Sequence, residues 1–162
     1  MGVFTDPIPT FTAGERARAS KLQTLADFAT AATSAWTTWT PTLSNLTLGS
    51  GTQTAKYRRL GNTVDWYWRF VFGSGSAVGT APSFTLPVAC AGDYSTYPPW
   101  FGMLIDASTS LRAPAVLNLS STTTVIVQYF SSLNTAANVG STIPWTWATG
   151  DVLSATGSYY TA

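Results

Sequence analysis

Apolar and polar residues alternate most strictly along Thr63–Phe72. Val64, Trp66, Trp68, Phe70 and Phe72 fall on one side of the pattern, and Thr63, Asp65, Tyr67, Arg69 and Val71 on the other. A period of two is a β-strand with one strongly apolar face. Gly61-Asn62, just before it, suits a two-residue hairpin loop in which Gly takes positive φ without steric cost. The preceding stretch, Thr52–Leu60, is then the partner strand. Opposite residues must sum to one constant, so Leu60 meets Thr63, Tyr57 meets Trp66 and Ala55 meets Trp68. The other face sets Arg58 against Asp65 and Thr54 against Arg69, which pairs opposite charges and polar groups across the hairpin. A wall of Trp and Phe needs a second layer over it, so a sandwich or barrel is expected.

Further short strands are expected at Trp39–Leu43, Ser83–Leu86, Phe101–Asp106, Ala113–Leu119, Thr124–Phe130 and Asp151–Tyr160, separated by turn signals. Only one stretch has helical spacing. Leu22, Leu25, Phe28, Ala29 and Ala32 recur at three- and four-residue steps, after capping-type starts at Thr12 and Ser20. Such a helix is marginal alone, so its stripe must pack on the sheet, on sister helices or on a partner. Ahead of it, Pro7 and Pro9 stand among Phe4, Ile8 and Phe11, which favours an extended apolar arm. From Trp36 onward the texture is Thr, Ser, Gly and aromatics. The fold class expected is mainly β: an antiparallel, jelly-roll-like β-sandwich (residues 36–162) preceded by an arm and one N-terminal helix (residues 1–35).

Composition narrows the chemistry. Charged residues make up 9% of the 162 and the net charge is +1, without a basic tract, which argues against a nucleic-acid partner. So sparse a charged surface favours a chain that hides area in an oligomer. No apolar run is long enough to insert in a membrane, and MGVFTDPIPTF lacks the form of a secretion signal. With no histidine and one cysteine, Cys90, neither a His-based catalytic triad nor an ordinary zinc site can be built. Asp93, Asp106 and Asp151 remain as conceivable paired carboxylates of a glycosidase, but no spacing joins any two of them, and turn chemistry explains isolated Asp. No enzyme, cofactor or metal is expected. The better lead is the aromatic loop Ala91–Trp100, where Tyr94, Tyr97 and Trp100 are candidates for ligand contact.

Several short segments, taken in order, resemble the head domains of tailed-phage fibres. They are Trp39-Thr-Pro-Thr-Leu43, Tyr57-Arg-Arg-Leu-Gly61, Phe84-Thr-Leu-Pro-Val88, Pro144-Trp-Thr-Trp-Ala-Thr-Gly-Asp151 and Gly157-Ser-Tyr159. Phe11-Thr-Ala-Gly-Glu15 and Ala19-Ser-Lys-Leu-Gln23 are similar to the N-terminal attachment stretch of phage minor tail and fibre proteins. The resemblance implies a homotrimer in the virion, made in the bacterial host cytoplasm. It implies that residues 1–35 bind capsid or tail proteins, with Phe4, Ile8, Phe11, Leu22, Leu25 and Phe28 as anchoring candidates, and that the head meets a host-surface glycan. No shaft or collagen-like repeat separates anchor from head, which points to a short fibre, spike or decoration. A stand-alone carbohydrate-binding module is the alternative from another class.

Overall fold

The computed structural model describes residues 19–32, 35–92, 99–133 and 135–161. Helix α1 is Ala19–Ala32. The strands are β1 (Thr37–Thr38), β2 (Leu43–Thr47), β3 (Thr52–Leu60), β4 (Thr63–Val71) and β5 (Ala77–Thr85), followed by β6 (Trp100–Ile105), β7 (Arg112–Ser121), β8 (Thr124–Ser132), β9 (Thr135–Asn138) and β10 (Val152–Tyr160). They form one curled antiparallel sheet in the order β1-β3-β4-β10-β6-β7-β8-β5-β2, and β9 shares an edge of β8 with β5.

β3 and β4 pair in the register that the alternation predicts, with Tyr57 opposite Trp66, Ala55 opposite Trp68 and Arg58 opposite Asp65. Gly61 has φ 58° while Asn62 is not in the positive region, the signature of a type II′ turn. Arg58 Nε donates to Asp65 Oδ2 at 2.9 Å. On the inner face Val64, Trp66, Trp68 and Phe70 are buried.

What covers that wall is the far part of the same sheet. Phe84 of β5 stacks on Trp68 with ring centroids 4.4 Å apart, and the Trp66 ring stands edge-on to Phe84 and Trp100. The two ends of the strand order are tied by one short crossing. Trp39 donates its backbone N–H to Ala55 O in β3 and its indole Nε1–H to Thr85 O in β5. Thr85 N donates to Thr42 O, and Thr42 N to Thr85 Oγ1. The strand expected at Trp39–Leu43 is therefore a passage from one sheet edge to the other. Pro41, with no N–H to give, sits in the middle of it.

β10 lies in the middle of the order, between β4 and β6. Gly157, opposite Trp66, is required there by close approach. A Cβ on it would stand 2.6 Å from Trp100 Cδ1 and 2.9 Å from Trp66 Cζ2.

β5 starts well before the expected Ser83. Residues 79–82 stand opposite Asn45 alone, so the strand bulges out of register. Asn45 Nδ2 donates to Thr80 O, and Ala81, at φ 53°, donates its N–H to Val139 O. Gly79 and Pro82 hide the alternation. β9 was not expected at all, being short and free of large apolar side chains. The helix forms as expected, but among the described residues none from α1 belongs to the core, and Leu22 is 52% exposed.

Candidate ligand-binding face

The outer face of the sheet follows from the same alternation that builds the core. Tyr67 and Arg69 point outward from β4, Ser154 and Thr156 from β10, and Phe101 and Met103 from β6. Register aligns Tyr67 with Thr156 and Thr156 with Phe101, and in the next row Arg69 with Ser154 and Ser154 with Met103. Small hydroxyl residues thus lie between larger ones on both sides. The result is a trough of about 460 Å³. Its walls stand two strand spacings apart, roughly 10 Å. Ser154 Oγ donates to Met103 O at 3.1 Å and Thr156 Oγ1 to Trp66 O at 2.9 Å. Both hydroxyl protons are thereby committed to the backbone, and the surface that the trough presents is mostly apolar. Phe101 is 57% exposed, an unusual position for a large apolar ring.

Beyond Phe101 the face continues over Val116, which is buried, to a row of amides. Asn118 Nδ2 donates to Gln128 Oε1 at 2.6 Å, and Gln128 Nε2 to Asn138 Oδ1 at 2.8 Å. Behind Tyr67, the Trp36 ring packs edge-on at 5.5 Å and carries the Arg58 guanidinium over its face.

The charge at the trough is positive. Arg69 on one wall, and Lys56 on β3 opposite Tyr67, have no ion-pair partner among the described residues. The carboxylates of the sheet are engaged elsewhere. Asp65 is held by Arg58. Asp106 accepts from the Ser108 and Thr109 hydroxyls and from both of their N–H groups. Those hydroxyl bonds, helped by the backbone N–H groups and opposed by burial, hold its carboxyl down to about 2. Asp151 accepts from Ala107 N and Ala148 N, joining two loops. Burial pushes the Tyr159 phenol well above its ordinary value, and its hydroxyl donates to Val88 O.

Of the ligand-contact candidates in the aromatic loop, Trp100 is a core residue. It is 8% exposed, and its Nε1–H donates to Ser158 O at 2.9 Å. β6 begins at Trp100 rather than Phe101, and alternation along it turns Trp100 inward with Leu104 and presents Phe101 outward. Tyr94 and Tyr97 lie outside the described residues, as do the anchoring candidates Phe4, Ile8 and Phe11 and the side chain of Phe28. Leu22 and Leu25 lie on α1, with Leu22 open to solvent and Leu25 partly so. Trp147 stacks on Phe72 at 4.9 Å and donates Nε1–H to Gly140 O, closing one end of the core. Tyr67 and Arg69 had a sequence signal, since they occupy the polar side of the strictest alternation. Their meeting with Phe101 had none, because it depends on β10 entering between two distant strands.

Among the described residues no three His, Cys, Asp or Glu side chains are grouped to hold a metal ion, and no helix is long and apolar enough to cross a membrane. Comparison with protein-family profiles, curated proteins and solved structures finds no match to this chain.

Proposed function

We propose that this chain is a non-enzymatic structural protein of a bacteriophage virion: a short homotrimeric fibre, spike or decoration. Residues 1–35 attach it to capsid or tail proteins and help it trimerise. Residues 36–162 form the displayed head, which we take to be a jelly-roll-like sandwich. The observation that carries this division is the state of α1. The sheet closes a core that takes in no described residue of α1, and Leu22 is left 52% exposed, where a sister helix or a virion surface can meet it. Asp106 and Asp151 are both engaged in loop hydrogen bonds, which favours a scaffold role for them over catalysis.

The test is deletion of residues 1–35. Particles assembled with the truncated chain should lack it, while the full chain incorporates. Incorporation of the truncated chain would sink the anchoring role. The outer trough favours a second reading, a stand-alone carbohydrate-binding module, which would bind glycan but never copurify with particles. Light scattering decides the trimer, and a monomer at micromolar concentration would remove it.

A further inference from the structure

We propose that the trough between β4 and β6 binds a segment of acidic polysaccharide, with sugar rings lying against Phe101 and Tyr67 and a carboxylate on Arg69. This deepens the display role proposed above and rests on the head facing outward.

Three independent observations converge on that chemistry. Two aromatic side chains line the trough from strands on either side of β10, and the one on β6 is more than half exposed. Rings of this kind supply contact area at low conformational cost and suit the apolar faces of pyranose rings. The surface between them is mostly apolar, and the Ser154 and Thr156 hydroxyls on the floor spend their protons on the backbone, so the floor suits the apolar face of a sugar more than its hydroxyls. Arg69 and Lys56 give the β4 side a positive charge with no carboxylate of the sheet left to neutralise it. A neutral glycan would leave that charge unused, whereas a uronic or sialic acid residue would answer it, in bidentate fashion for Arg69. An exposed ion pair contributes little by itself, so ring contact and charge must act together.

The experiment uses the full chain with oligogalacturonate, hyaluronate oligosaccharides and oligosialate, each beside its carboxyl-reduced form, read by titration calorimetry. At least one acidic probe should bind saturably, and its reduced form about tenfold more weakly. Arg69→Gln should erase the preference for the acidic form, and Phe101→Ala should weaken both forms by about tenfold. Raising ionic strength from about 0.01 M to about 1 M shortens screening from about 30 Å to about 3 Å and should reduce only the acidic component. Both side chains are exposed, so melting curves of the variants should match the parent and separate lost binding from lost folding.

Binding of none of the three acidic probes overturns the proposal, as does equal binding of acidic and reduced forms. So does a Phe101→Ala variant with a smaller oligomeric mass, which would make this face a contact between copies of the chain. Failure here would leave particle incorporation unaltered. Glycan binding by a chain absent from particles would instead remove the virion role and keep the trough.

Discussion

Asp106 and Asp151 share a chemistry and a degree of burial, and each spends its carboxylate oxygens on loop donors. For Asp106 this has a direction in pH. Its carboxyl is lowered from 3.8 to about 2, so it stabilises the fold fully above the unfolded value and loses that contribution as pH falls from 3.8 through about 2. Asp106→Asn should therefore melt lower than the parent at neutral pH and show a flatter fall in Tm across that window. Parallel acid limbs for the two proteins would contradict it. Trp100 and Phe101 show what the residue pattern alone could and could not convey. That two adjacent large rings point to opposite faces is certain once the strand's first residue is known. Which ring faces water turns on the register of β6 against β10 and β7, because a one-position shift in pairing exchanges the faces of a strand.

The β3–β4 hairpin was legible because its evidence is local: a turn glycine, an alternation and matched cross-strand pairs. The crossing at Trp39–Thr42 was not, because its hydrogen bonds go to strands that neither precede nor follow it directly. Its contribution can be divided. Trp39→Phe keeps a ring but leaves Thr85 O without the indole donor, and should cost about 1 kcal/mol. Trp39→Ala also removes the edge-on contact with Tyr57, at 6.1 Å, and the surrounding packing, and should cost about 3 kcal/mol. Urea unfolding at constant m-value measures both. The bulge in β5 was hidden for a similar reason. Ala81 takes a backbone conformation costly for a residue with a Cβ, and it is held there by distant partners, its N–H donating to Val139 O while Asn45 Nδ2 donates to Thr80 O beside it.

For the molecule as a whole, the separation of α1 from the core has a thermodynamic signature. A chain of residues 36–162 should melt at a temperature independent of protein concentration. The full chain, if its helices associate, should melt higher as concentration rises, because assembly stabilises the folded form by mass action. Identical, concentration-independent Tm values for the two would argue against helix-driven association. Mainly-β character and the placing of the helix before the strands were readable from periodicity and composition. Strand order was not, because it is set by long-range pairing.

The position of β10 bears on how such a chain can be made. Its residues pair with β4 on one side and β6 on the other, so without them the sheet is two fragments. One holds β1, β3 and β4; the other holds β6, β7, β8, β5, β9 and β2, and only the Trp39–Thr42 crossing and the loops link them. While a ribosome has yet to deliver Val152–Tyr160, the facing edges of β4 and β6 are bare and the Trp66–Trp68 wall cannot be sealed. Pairings between such distant segments form slowly and leave strand edges open to wrong partners. Closure of this sheet thus waits for β10, the latest of its strands in chain order, and until it arrives the nascent chain depends on keeping two half-sheets with bare facing edges apart from those of its neighbours.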